Sequence, residues 1–330
     1  MRKLTTWIVV LILLMAALIV NGCTSQSMSQ QKGDGTKVGG SELKELRMGI
    51  VPLPHYAHMW VAQKKGFIDE ELQKVGYKLK WQPFGLGPMV NESLMAGQLD
   101  MGVMGDFPAF IGRSAGTNYH IVSLASTGPK TLALVVQKDS NIMNVADLKG
   151  KKVGTTKGSY GQQLLTMLLE KNGLSTKDIQ FMNVTMDDLT TALVRGDVDA
   201  GVMWEPLITR MEEAGEIKII ADGTDIYEAY AVVVASNDMV EKNPQAINAV
   251  LKAYQRGQEY LKQNPEECMK LLVEDIKIPQ PQLVVIINKF NYDGTMTDKF
   301  VTDMKDTEGF MRKNGLIKNP VDVDAFIHKQ

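Results

Sequence analysis

The chain has 330 residues, 44% of them hydrophobic and 22% charged, with 36 Lys and Arg set against 38 Asp and Glu. That near-neutral balance, with no basic cluster, argues against nucleic acid as a partner. Two cysteines and four histidines leave no material for a disulfide framework or a cysteine-type zinc site, and neither a metal nor another cofactor is expected. The length suffices for two modest domains with real cores.

Arg2 and Lys3 precede an uncharged apolar run from Trp7 to Val20. Fourteen helical residues reach about 21 Å, short of the ~20 residues that cross a bilayer comfortably, so residues 1–22 read as a cleavable signal peptide. The run ends in Val20-Asn21-Gly22-Cys23, which resembles the lipobox of bacterial lipoproteins. The resemblance implies a diacylated Cys23 at the mature N-terminus, and hence an extracytoplasmic protein anchored to the cell membrane. Residues 23–42 follow as a tether. Thr24 to Ser41 is Ser, Gln, Gly and Lys with almost no apolar content, unable to form a core and flexible over a reach of roughly 25 Å. Without Arg2 and Lys3 the net charge moves from −2 to −4, and Cys268, in a helical stretch, reads as a small packed apolar side chain.

The body alternates strands and helices, the pattern of an α/β chain with mostly parallel sheets. Strands are expected at Leu46–Val51, Lys78–Gln82, Met101–Met104 and His120–Ser126, with helices near Met59–Gly66, at Ile68–Val75, after Gly85–Pro88 and at Phe107–Ser114. Thr131–Gln137 (TLALVVQ) and Tyr230–Ala235 (YAVVVA) stand outside this rhythm and read as crossovers between lobes. Between them come strands at Lys152–Gly154, Ile179–Val184 and Ile217–Ala221, and helices at Tyr160–Lys171 and Met186–Val194. After Ala235 the chain is almost wholly helical, as at Pro244–Gln263, Glu266–Glu274 and Leu283–Lys289. The expected division is lobe one from 43–130 and 236–330, and lobe two from 131–235.

One phrase occurs twice. Leu94-Met-Ala-Gly-Gln-Leu-Asp-Met-Gly-Val-Met104 returns as Leu193-Val-Arg-Gly-Asp-Val-Asp-Ala-Gly-Val-Met203, identical at six of eleven positions. Each copy reads as a helix closed by glycine, a buried strand and a polar turn, Gly105-Asp106-Phe107-Pro108 or Trp204-Glu205-Pro206. Two such units imply two lobes of one design facing across a crevice, where small molecules bind.

In open parallel sheets ligands sit beyond the carboxyl ends of the strands. The turns that fall there hold the candidate ligand-binding residues: His55 and Tyr56; Gly87 and Pro88; Asp106 and Phe107; Thr156, Ser159 and Tyr160; Trp204 and Glu205. Thr155-Thr-Lys-Gly-Ser159 is the anion candidate, with hydroxyls, a glycine and a lysine just before a helix start; N-capping by Ser159 or Thr156 is the plainer alternative. It lacks the ending of a P-loop. Asp106 and Glu205 occupy matching places and could receive an amine, or cap helices. Trp204 offers a flat wall or a core side chain. His55 and His58 lack the carboxylate or cysteine partners of a metal site.

His58-Met-Trp-Val-Ala-Gln-Lys-Lys-Gly-Phe67, Met104-Gly-Asp-Phe-Pro-Ala109, Val145-Ala-Asp-Leu-Lys-Gly-Lys-Lys-Val-Gly154 and Trp204-Glu-Pro206 together resemble the aliphatic sulfonate, taurine, nitrate and thiamine-precursor binding proteins, from about Leu46 to the end of the chain. The resemblance implies a type II periplasmic-binding-protein fold: two Rossmann-like lobes joined by two crossover strands, with a ligand cleft between them. It also implies a non-enzymatic receptor for a small anionic or zwitterionic solute, above all an aliphatic sulfonate such as taurine; a monomer is the default expectation. Such a receptor delivers its solute to an ABC permease driven by an ATPase. In sulfonate binders the anionic head is held at turns like Gly85–Pro88 and Thr155–Tyr160. Nitrate or a thiamine pyrimidine precursor is the alternative solute. A pyrimidine-synthase-like enzyme is the alternative class, against which the signal sequence argues. The cysteine-rich turn of the thiamine-precursor relatives is missing here.

Overall fold

The computed structural model describes residues 43–329; the signal peptide, Cys23 and the tether lie outside the described residues. In chain order the strands are β1 (Lys44–Ile50), β2 (Tyr77–Pro83), β3 (Met101–Gly105), β4 (Tyr119–Thr127), β5 (Leu132–Gln137), β6 (Lys152–Thr155), β7 (Gln180–Asn183), β8 (Ala200–Trp204), β9 (Ile217–Asp222) and β10 (Tyr230–Ser236). The helices are α1 (Ala57–Lys64), α2 (Phe67–Gln73), α3 (Gly87–Met95), α4 (Asp106–Ser114), α5 (Tyr160–Lys171), α6 (Met186–Arg195), α7 (Leu207–Glu213), α8 (Asn237–Lys242), α9 (Pro244–Gln263), α10 (Pro265–Ile276), α11 (Gln280–Ile287), α12 (Asp298–Lys313) and α13 (Val323–Phe326). Among the described residues no helix is long and apolar enough to cross a membrane.

Two five-stranded sheets result, ordered β2-β1-β3-β10-β4 and β7-β6-β8-β5-β9. In each, one strand runs against the others: β10 is antiparallel to β3 and β4, and β5 to β8 and β9. These are the two crossover segments, and their apolar, β-branched sequences suit a central strand buried on both faces. Although β10 falls within the span 131–235, it pairs in the sheet of lobe one. The helices after β10 return to that lobe, whose core takes in Tyr254, Cys268, Phe300 and Phe326. A separate pair of apolar clusters fills lobe two on the two faces of its sheet.

The repeated phrase does the same structural work in each lobe. Gly97 and Gly196 adopt left-handed conformations (φ 68° and 77°) that end α3 and α6, which a side chain would disfavour. The following aspartates lock strands: Asp100 accepts the Arg47 N–H at 2.8 Å and Asp199 accepts the Lys152 N–H at 2.8 Å. In both cases the aspartate joins the strand of its own phrase to the parallel neighbour, β1 or β6. Lobe one adds the Arg47 guanidinium, which meets Asp100 at 2.6 Å.

Where the lobes join, backbone hydrogen bonds tie the segments that flank the crossovers. Gly223 N–H donates to the Pro129 carbonyl at 2.9 Å. Asn291 exchanges both backbone hydrogen bonds with Thr127. Away from this hinge, Gln163 of α5 donates to the Thr307 hydroxyl of α12 at 3.2 Å, one lobe touching the other across buried surface.

Candidate functional site

The carboxyl ends of β3 and β6 point two helix starts at the crevice. On the lobe-two side the turn before α5 is held from within. Thr155 Oγ1 donates to the Val202 carbonyl at 3.0 Å, Thr156 Oγ1 to the Val184 carbonyl at 2.9 Å, and Ser159 Oγ to the Thr156 carbonyl at 2.6 Å. Ser159 Oγ also accepts the Gln162 N–H at 3.4 Å, so it is the N-cap of α5. Gly158, left-handed at φ 75°, donates its N–H to Gln162 Oε1 at 2.6 Å. The hydroxyls are therefore committed to the turn itself. What the helix start offers an anion is the N–H groups of Tyr160 and Gly161, which have no intrahelical acceptors, and the positive end of the dipole.

On the lobe-one side α4 begins at Asp106. Its Oδ1 accepts the Phe107 N–H at 2.8 Å, and its Oδ2 is buried with no hydrogen-bond partner. The residue is 0% exposed. Burial pushes its carboxyl up to about 8, against an ordinary value of 3.8. Tyr160 reaches across to it: its ring lies 4.7 Å from that of Phe107, and Phe310 of α12 stands 6.2 Å behind Phe107. Burial, then the nearby Asp106 carboxylate, raises the Tyr56, Tyr160 and Tyr227 phenols. The Tyr227 hydroxyl, just before the second crossover, is also buried without a partner. Tyr230 beside it donates to Asp303 of α12 at 2.6 Å.

Asp106, Phe107, Tyr56, Ser159 and Tyr160, all expected from the sequence, thus lie at one place. Gly87 starts α3 and packs so close that a methyl on it would sit 3.3 Å from Met104 Cβ; Pro88 is exposed beside it. Trp204 is partly buried on the lobe-two core at the end of β8. His55 lies 4.6 Å from Phe290, and burial lowers it to about 4, so it is neutral at physiological pH. His58 is buried in lobe one, 4.9 Å from Tyr292, beside a cavity of about 710 Å³ that opens along α9 rather than in the crevice. Among the described residues no cluster of His, Cys, Asp or Glu could hold a metal ion.

Of the two roles open to Glu205 from the sequence, an amine receptor or a helix-start acid, the geometry shows the second. Glu205 is 1% exposed, and its carboxylate is paired with Lys289, which follows α11 in lobe one. It accepts the Thr209 hydroxyl at 2.9 Å and the Thr209 N–H at 3.3 Å. Its charge is spent on a lobe-to-lobe strut and on the start of α7.

The model of the family described as NMT1/THI5 like matches residues 53–268. The chain belongs to that family. A relative from Escherichia coli (strain K12), named for the binding of aliphatic sulfonates, is 30% identical over 251 residues, which is 74% of this chain and 78% of the relative. One of the same description from Bacillus subtilis (strain 168) is 28% identical over 294 residues, 88% of this chain and 87% of the relative. The crystal structure of the periplasmic aliphatic sulphonate binding protein SsuA from Escherichia coli superimposes with a TM-score of 0.79 at 26% identity, covering 86% of this chain and 92% of that one. The fold is that of the periplasmic binding proteins.

For this family member, sequence reasoning missed the third wall of the crevice. Asp303, Thr307 and Phe310 come from α12, which falls in the stretch read as almost wholly helical but without bounds of its own, although Phe300, Met304, Thr307 and Met311 recur at helical spacing and are buried. Tyr227 and Lys289 carry no local signal. Each acquires its role only when the second crossover and the end of α11 are brought to the hinge.

Proposed function

We propose that this protein is an extracytoplasmic solute-binding lipoprotein of an ABC importer, anchored through Cys23, which closes its two lobes on an aliphatic sulfonate such as taurine or an alkanesulfonate. The observation that carries the reading is the crevice itself: the free N–H groups at the start of α5 in lobe two face the start of α4 in lobe one, with aromatic rings between them. A tetrahedral anion suits such a helix start, and the aromatic walls suit a short alkyl chain. The sulfonate-related names of the relatives point the same way. In this mechanism the crossovers act as the hinge, solute contacts in both lobes stabilise the closed state, and a permease with its ATPase reads that state. The relatives carry binding-protein names, which supports a receptor rather than an enzyme.

The Phe107–Tyr160 pair also favours a second solute, a pyrimidine precursor of thiamine, because flat rings stack on a flat heterocycle. Titration calorimetry of the purified protein with taurine, ethanesulfonate, nitrate and hydroxymethylpyrimidine decides between them. Heat from a sulfonate at micromolar concentration is the expected result. Silence from every sulfonate at millimolar concentration, with heat from the pyrimidine, would replace the first reading by the second.

A further inference from the structure

We propose that Asp106 is the receptor for a protonated amine on the solute, so that the site selects ω-aminosulfonates among the aliphatic sulfonates. This rests on the sulfonate reading above and adds the other end of the ligand to it.

A carboxyl group taken wholly out of water needs compensation, or its burial costs several kcal/mol. Glu205, at the matching position of lobe two, receives it from Lys289 and Thr209. Asp106 receives one backbone N–H on Oδ1, has the Tyr160 hydroxyl close by, and has no cation on either oxygen; Oδ2 is left without a partner of good geometry. The charged group that bears on it from α12 is a second carboxylate, Asp303, and the other titratable groups around it are the phenols of Tyr56, Tyr160 and Tyr227. The Tyr227 hydroxyl, which feels the Asp106 carboxylate, is likewise buried and unpaired, so two electrostatically coupled groups lack a partner. An ammonium supplies three donors and a positive charge. The rings of Phe107 and Tyr160 add faces that attract a cation. A sulfonate head placed here would meet carboxylates; at the start of α5 it meets N–H groups. The two ends of an aminosulfonate thus have complementary places on opposite lobes, and holding both would draw the lobes together.

The rival role for Asp106 is a neutral acid that donates a hydrogen bond to the sulfonate. The carboxyl, raised to about 8 by burial, is mostly protonated at pH 7, and an ammonium would displace that proton while a sulfonate would retain it. The test is calorimetry at pH 7, in buffers of different ionisation enthalpy, with taurine and with ethanesulfonate, which lacks the amine. The expected results are at least tenfold tighter binding of taurine, release of close to one proton with taurine and none with ethanesulfonate, and for Asp106→Asn a loss of about 100-fold for taurine with ethanesulfonate unchanged or tighter. Equal affinity of the two solutes for the native protein, or equal loss of both in Asp106→Asn, would overturn the inference and leave the sulfonate reading standing. No binding of either would overturn both. Thermal unfolding of Asp106→Asn serves as the folding control.

Discussion

Gly105 provides a way to separate closure from folding. Its backbone is extended (φ −70°, ψ 161°), a conformation open to alanine without strain, so the substitution leaves lobe one intact. A methyl group there would fall on the hydroxyl of Tyr160 and within 2.8 Å of its Cζ. Ordinary contact requires the ring to withdraw by on the order of 1–2 Å. Because Tyr160 starts α5 in lobe two, that withdrawal undoes its tilted ring contact with Phe107 and pushes the lobes apart. Losing the aromatic contact and part of the shared burial would disfavour the closed state by about 1–2 kcal/mol, a factor of roughly 5–30 in the closed population. Apparent affinity for any solute held by both lobes falls by the same factor. The cost to global stability is partly offset, because Gly→Ala restricts the unfolded chain by about 0.4–1 kcal/mol. Gly105→Ala should therefore lower the urea midpoint only slightly, weaken solute binding 5–30-fold and enlarge the radius of gyration in solution scattering. Tyr160→Phe in the Gly105→Ala background removes the clashing oxygen and should recover part of the affinity. Unchanged affinity together with an unchanged scattering curve would refute the placement of Tyr160 between the lobes.

Asp106 predicts a pH signature in the free protein. Its carboxyl is raised from 3.8 to about 8, so between those values the native state holds a proton that the unfolded chain has lost; native stability falls as pH rises through that window and levels off above it. The difference between Asp106→Asn and the native protein should widen by about 4 kcal/mol between pH 5 and pH 8 in urea unfolding, and a constant difference would contradict the uncompensated burial. Lys289→Met strands the buried Glu205 carboxylate and should cost about 3–5 kcal/mol, most of it regained in Lys289→Met with Glu205→Gln; an unaffected melting temperature would remove the strut from the account. Burial also raises the Cys268 thiol to about 11, so native protein at pH 8 should resist a thiol reagent that labels the unfolded chain at once.

The sequence announces what is local and periodic. The helices Tyr160–Lys171 and Pro244–Gln263 start and stop where capping chemistry and apolar spacing place them, with Ser159 as a cap and Pro244 at a first position. The crossovers were visible because TLALVVQ and YAVVVA interrupt the helix–strand rhythm, and each proves to be the one reversed strand of its sheet. The α12 helix was hidden by its charge: Lys, Asp and Glu dominate Asp298–Lys313, and the narrow buried stripe is easily passed over. At the site, Asp106, Phe107 and Tyr160 could be named from their turns. The difference between Asp106 and Glu205 could not, because it depends on Lys289, which is 84 residues from Glu205 and belongs to the other lobe. Counter-ions of this kind are tertiary facts, and no spacing within a turn encodes them.

That difference also bears on what the acids are for. Asp106 and Glu205 stand 99 residues apart, the offset of the repeated phrase, and each helps to satisfy a helix start: Asp106 accepts the Phe107 N–H and Glu205 the Thr209 N–H. If capping were the whole purpose of the position, a neutral Asn or Ser would serve with no charge to bury. Lobe two spends its acid on Lys289, gaining a link across the hinge to a partly buried lysine just after α11. Lobe one keeps an ionisable carboxyl with no cation opposite it, held mostly protonated at pH 7, and does so where the lobes meet. Burying such a group weakens the empty protein. The arrangement makes sense when its counter-charge arrives with the solute, for then the same uncompensated energy becomes part of the force that holds the lobes shut.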